Sequence, residues 1–356
     1  MQKDDPRYLR GARSFVQGRF ESVAREVFDD GWTPDEPDTR ELKTFVTIES
    51  ARSIISHNDS PDVGFSQSIN PYRGCEHGCI YCYARPSHAY LELSPGLDFE
   101  TRLFAKTNAA ERLREELAKP GYQPSAIALG ANTDCYQPIE RKYRITRQIL
   151  EVLAECEHPV SIVTKSALIE RDLDLLGPMG RKHLARVFVS IGTLDRELAR
   201  KLEPRAASPQ RRLDVVRKLN ENGVPCGVMI AALVPALNDK TMEHVLEAAA
   251  AAGAKEAAYV VMRLPHELKT LFKEWLAEHY PRRAEHVMSI VRQMRGGKEN
   301  DPNFGTRMSG TGNYAELMEK RFDIACRKYG INRREAPDLD CSRFRPPSPG
   351  GQLSLL

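Results

Sequence analysis

Between residues 99 and 264, short apolar runs alternate with stretches of helical period. This alternation limits the possible folds more than any other feature of the chain. The apolar runs fall at 99–106, 126–130, 160–164, 185–191, 227–234 and 257–264, each of strand length. Between them, Ile145, Ile149, Val152, Leu153 and Cys156 recur at helical spacing. Asn108 with Glu111 three residues on reads as a capping box opening a helix that stops at Pro120-Gly121. Further helices read at 168–176, at 209–222 closed by Gly223, and at 240–252. Six strands alternating with helices predict an α/β fold with a parallel sheet covered by helices. Right-handed crossovers can curl such a sheet into part of a barrel or leave it open and doubly wound, and the period does not separate the two. In both cases the chemistry sits at the carboxyl ends of the strands.

The remaining sequence divides around that core. Residues 1–44 form a polar lead-in with Pro34 and Pro37, read as extended or partly disordered. The core itself runs over 45–265. A helical extension over 266–336 has helices at 268–277, 284–294 and 315–329, with a Gly- and Asn-rich loop at 296–312. Residues 337–356 are rich in Pro, Ser and Gly and read as a flexible tail. The 356 residues, 41% hydrophobic, can bury a sizeable core. A net charge of +3 implies no partner, but 282–334 carries 12 Lys and Arg against 6 Asp and Glu. Such a stretch is a solvated helical surface or a nucleic-acid contact. The first 25 residues are polar. The most apolar stretch, 245–264, contains Glu247, Lys255, Glu256 and Arg263, so no membrane span and a cytoplasmic location are expected.

Three of the eight cysteines are clustered, in Cys75-Glu76-His77-Gly78-Cys79-Ile80-Tyr81-Cys82-Tyr83. Three thiolates from one short loop can hold three corners of a 4Fe–4S cluster, which ordinarily takes four cysteines. No fourth lies nearby, so one iron stays open. An open iron is what reductive cleavage of S-adenosylmethionine (SAM) needs. The alternative is a zinc site completed by His77 or His88, in a non-catalytic interaction module. Zinc hooks usually come in pairs, and a second hook is missing. Tyr81 and Tyr83 flank the third cysteine, where a dry shell tunes redox potential.

This loop resembles that of the radical SAM superfamily, more closely the spore photoproduct lyase branch, which reads CxxxCxYCY. Val163-Thr164-Lys165, Phe188-Val189-Ser190-Ile191, Leu202-Glu203-Pro204 and Gly223-Val224-Pro225-Cys226-Gly227 follow in matching order. The whole chain looks more like a bacterial radical SAM group within that branch. Asn70-Pro71-Tyr72-Arg73-Gly74-Cys75, Thr133-Asp134-Cys135-Tyr136-Gln137-Pro138-Ile139-Glu140 and Gly305-Thr306-Arg307 carry that likeness. The resemblance implies a partial (β/α)6 TIM-like barrel with N-terminal and C-terminal extensions. It implies a 4Fe–4S cluster held by Cys75, Cys79 and Cys82, with SAM chelating the open iron. An electron from a reductant protein such as flavodoxin or ferredoxin would then release a 5′-deoxyadenosyl radical, which abstracts hydrogen from the substrate. Lys165, past a strand end, would pair with the SAM carboxylate; otherwise it is a surface lysine. Ser190 and Thr133 would meet the carboxylate or ribose, Arg205 would clamp a carboxylate, and Ala231 would let adenine pack close.

One departure stands out. The lyase's hydrogen-donating cysteine corresponds to Ala131 here, and Cys135 is a candidate donor four residues on or an incidental cysteine. Cys156 and Cys226 read as small core residues. The substrate class favoured is a nucleic acid lesion or modified nucleotide, with a small molecule or peptide as the alternative. The terminal Gln352-Leu353-Ser354-Leu355-Leu356 resembles peptides that dock into the DNA sliding clamp, or is simply a frayed apolar end.

Overall fold

The computed structural model describes residues 10–21, 42–333 and 338–347. Pro34, Pro37 and the terminal pentapeptide lie outside these residues. Ten strands form two sheets: β1 (Phe45–Glu49), β2 (Ile55–His57), β3 (Gln67–Ile69), β4 (Tyr72–Arg73), β5 (Arg102–Lys106), β6 (Ile127–Leu129), β7 (Val160–Thr164), β8 (Ala185–Ser190), β9 (Cys226–Leu233) and β10 (Glu256–Val261). The larger sheet has seven strands in the order β10-β9-β8-β7-β6-β3-β2. Every neighbouring pair is parallel except β2 with β3. The expected six-stranded parallel α/β core is therefore present, as a partial barrel with one antiparallel edge strand.

One of the six expected strands is not in that sheet. The 99–106 run begins as a short helix, Asp98–Thr101, and continues as β5, which pairs with β1 and β4 in a separate three-stranded sheet. Its place is taken by β3, whose residues Gln67, Ser68 and Ile69 are all buried. Gln67 is tolerated inside because Tyr122 donates to its Oε1 at 2.7 Å and its Nε2 donates to Gln123 O at 3.3 Å. A strand with one apolar residue in three carries no hydrophobic signature. The capping box at Asn108 is also absent. Asn108 accepts from Ala51 N and donates to Ala51 O, both at 2.9 Å, so its side chain ties two segments together rather than capping its own helix.

The C-terminal helices are part of the same packing. Ile290, Met294, Met318 and Phe322 belong to the core that covers the large sheet. Phe272 and Trp275, from the helix Leu268–His279, form a second core with Cys79, Ile80 and Tyr81. Much of the basic excess after residue 282 is engaged internally. Arg321 pairs bidentately with Glu243 at 2.7 Å, Arg307 pairs with Asp62, and buried Arg295 donates to Met262 O and Thr306 O at 3.0 Å. Within the lead-in, residues 10–21 form no helix or strand yet pack against the rest of the chain. Arg10 and Ala12 are buried, Ser14 Oγ donates to Glu274 at 2.7 Å, and Arg13 pairs with Glu278 at 2.7 Å. Among the described residues, no helix is long and apolar enough to cross a membrane.

Candidate active site

The cysteine loop leaves β4 and lies over the carboxyl ends of the barrel strands. Two glycines let it bend. Gly74 and Gly78 have φ of +74° and +67°, a region in which a side chain is strained. A Cβ on Gly78 would also stand 2.7 Å from a Glu100 carboxylate oxygen.

Buried charges hold the loop from beneath. Arg85 donates to Cys79 O at 2.9 Å, Gly78 O at 3.1 Å, Gly96 O at 3.0 Å, Pro95 O at 3.2 Å and Glu100 at 2.6 Å. Glu100 also accepts from the backbone N–H groups of Gly11 at 2.9 Å and Ala12 at 2.8 Å. Residues 10–12, the cysteine loop and the buried ion pair thus form one hydrogen-bonded unit. On the other side, Gln137 accepts from Glu76 N and donates to Gly74 O, both at 3.0 Å.

Asp134 links the loop to β7. It accepts from Thr164 Oγ1 and Lys165 N, both at 2.8 Å, and lies 3.3 Å from His77 Nδ1. Burial alone would raise its carboxyl. His77 and the backbone donors of Lys165 and Tyr136 reverse this and hold it at about 2. Tyr81 donates to Glu203, and Glu203 pairs with Arg212, both wholly buried contacts. Tyr83 donates to Ala131 O, past the end of β6.

Cys75 and Cys79 are buried and Cys82 is half-buried. Burial pushes the Cys75 thiol far up, and Asp134, Cys79 and Cys82 push it further. Burial also raises Cys79, as do Glu203 and Cys82, against the opposing pull of Lys165 and Arg212. Three cysteines of one loop, two of them buried, could hold a metal centre that binds them as thiolates. Of the two histidines considered for zinc, His77 Nδ1 lies 3.3 Å from Asp134, and His88 Nε2 lies 2.9 Å from Arg102 O.

The other expected site residues divide into two groups. Lys165, Ser190 and Ala231 gather around Tyr81. The Lys165 ammonium lies 5.9 Å from the Tyr81 ring centre, and Ser190 Oγ donates to Ala231 O at 3.1 Å. Burial disfavours the Lys165 charge, but Cys79 and Glu203 outweigh it and raise its pKa. Thr133 and Arg205 instead brace the loop. Thr133 Oγ1 donates to Tyr72 O at 2.9 Å. Arg205 lies 3.2 Å from Glu76 and donates its backbone N–H to His77 O at 3.3 Å, so the carboxylate it holds is the protein's own. Cys135 is fully buried in the main core with Cys156 and Cys226. Asp134, Gln137, Glu203, Arg212, Arg85 and Glu100 had no role assigned from sequence. Asp134, Gln137 and Glu203 lay within the segments that carry the resemblance, which was the available signal.

A partial barrel with a three-thiol loop over its strand ends is an arrangement that could hold an iron–sulfur cluster. The description "Radical SAM superfamily" matches residues 69–249. An uncharacterized protein of Mycobacterium tuberculosis, Rv2578c, is 37% identical over 277 residues, covering 77% of this chain and 78% of that one. The Radical SAM Nalpha-GlyT isomerase of Pseudomonas phage M6 is 26% identical over 193 residues, covering 53% of this chain and 38% of that protein. In fold, the chain is similar to spore photoproduct lyase complexed with dinucleoside spore photoproduct. The TM-score is 0.58 at 16% identity, over 80% of both chains. The chain belongs to the radical SAM superfamily, whose enzymes use a 4Fe–4S cluster and SAM.

Proposed function

We propose that Cys75, Cys79 and Cys82 ligate the cluster and that the enzyme abstracts hydrogen from a nucleotide, as a lesion or modified base within nucleic acid. When bound, the cluster supplies the electron that cleaves SAM. The chain's own residues bind, orient and exclude water. Lys165 keeps its charge beside the loop and is suited to the SAM carboxylate. Ser190 and the Ala231 carbonyl offer a hydroxyl and an acceptor at neighbouring strand ends. The Tyr81–Glu203–Arg212 chain fixes the loop's inner face, and the Phe272–Trp275 core beneath keeps it dry. Cys135, the candidate donor, is buried in the main core.

The observation that supports the substrate class is the fold match to a lyase solved with a dinucleoside photoproduct. Comparing nucleosides from wild-type and deletion cells tests it. A nucleoside that accumulates or disappears without the enzyme is expected. Unchanged nucleosides alongside a changed peptide or metabolite would transfer the reading to that class.

A further inference from the structure

The partial barrel has two edges, β2 and β10, and two contacts span the gap between them. The β2–β3 loop supplies Asp62, which accepts from Gly305 N at 2.6 Å and pairs with Arg307. The Arg307 loop is joined to β10 by Val261 N donating to Met308 O at 2.8 Å. Nearer the cluster loop, the Arg263 guanidinium lies 5.8 Å from the ring centre of Tyr83, the residue after Cys82.

Arg263 is poorly satisfied for a half-buried cation. Its one hydrogen bond among the described residues is to Met308 sulfur at 3.8 Å, and its Nε has no partner. The acidic groups here are already taken: Asp62 by Arg307 and Gly305, and Asp301 by Thr306 at 2.6 Å and Asn303 N at 3.0 Å. Burial and then Arg307 work against the charge on Arg263, outweighing Tyr83 and Asp62, which favour it; burial, with Arg263 behind it, works against the charge on Arg295. Two large aromatic rings stand exposed beside these arginines: Phe304 at 57% and Tyr83 at 49%. The Arg307 guanidinium lies 4.4 Å from the centre of the first. A cation without a paired anion, in a region with two exposed aromatic rings, matches what a nucleotide offers: a phosphate for the guanidinium and a base for stacking.

We infer that the gap between β2 and β10 is a nucleotide subsite, with Arg263 as the phosphate receptor and Phe304 and Tyr83 as stacking faces. The inference rests on the nucleic-acid reading above and locates its substrate contact in this chain.

The test is fluorescence anisotropy with labelled oligothymidylate over a salt series, using the cluster-containing protein. Arg263→Gln should raise Kd about tenfold or more and reduce the salt slope by about one. Arg263→Lys should fall between it and wild type, since charge remains while the fork is lost. Arg282→Ala with Arg283→Ala, in the basic segment elsewhere, should change little. Should Arg263→Gln misfold, Phe304→Ala at an exposed ring carries the test, with a severalfold loss expected. Wild-type affinity in Arg263→Gln and Phe304→Ala overturns the subsite while leaving the nucleic-acid reading intact. No oligonucleotide binding by the wild type overturns both. A glutamate-rich peptide bound equally well and with the same dependence on Arg263 overturns the assignment to nucleotides.

Discussion

Arg85 and Arg263 are both arginines near the cysteine loop, and their surroundings are opposite. Arg85 is fully buried, with hydrogen bonds to four backbone carbonyls and Glu100. Arg263 is half-buried, with a sulfur and a ring for company and an Nε without a hydrogen-bond partner among the described residues. A guanidinium has five donors, and leaving them unmet in a dry place is costly. The first region is therefore finished by folding: it holds the backbone of the loop in one geometry. The second is finished only when an anion arrives. The contrast separates scaffold from contact surface by hydrogen-bond satisfaction alone.

The largest expected effect lies in the loop itself. Cys75→Ala, Cys79→Ala or Cys82→Ala should each abolish cluster retention and SAM cleavage, read by iron content and by release of 5′-deoxyadenosine. Cys135, Cys156, Cys226, Cys326 and Cys341, each changed to Ala, should retain the iron. A marked loss in any of them would reveal a fourth ligand.

The comparison itself is broken most directly by matched arginine variants. Arg85→Ala leaves Glu100 charged and buried and should destabilise the protein by about 3–5 kcal/mol. Arg263→Ala removes a cation with few favourable contacts and should change stability by about 0.5 kcal/mol or less. Denaturant midpoints at constant slope measure both. Equal losses would erase the distinction between the two regions.

Lys165→Ala sharpens the account between these extremes. It should leave cluster content intact and weaken SAM binding by about 1.5–3 kcal/mol, a tenfold to hundredfold rise in Kd by calorimetry. Unchanged affinity removes Lys165 from the SAM site. The smallest effect concerns the C-terminal pentapeptide. A peptide of residues 346–356 should bind the sliding clamp with roughly micromolar Kd, losing this with Gln352→Ala and Leu355→Ala. No binding would leave the tail as a frayed end.

The parts of the molecule that were legible in the sequence are those written locally. The three cysteines lie in one short loop, and β7 has the bounds that its apolar run predicts, Val160–Thr164. What the sequence hid depends on distant partners. β3 is buried with two polar residues because Tyr122 and Gln123, more than 50 positions away, satisfy Gln67. The run containing β5 looked like a barrel strand because burial in a small side sheet selects the same residues. The loop's supports join residues 88 and 89 positions apart at Glu100, and 122 apart between Tyr81 and Glu203. A charged residue in sequence reads as surface until its partner is known. Arg205 shows the converse: its carboxylate partner was foreseen in a ligand and is found in Glu76.

The proposed ligation has three thiols holding a cluster with one iron open to SAM. Anaerobically purified protein, analysed for metal and sulfide and then by electron paramagnetic resonance after reduction, tests it most directly. Brown protein with about four iron and four sulfide per chain is expected, with a reduced-cluster signal that changes when SAM is added. Colourless protein carrying stoichiometric zinc, or a cluster whose signal ignores SAM, would contradict it.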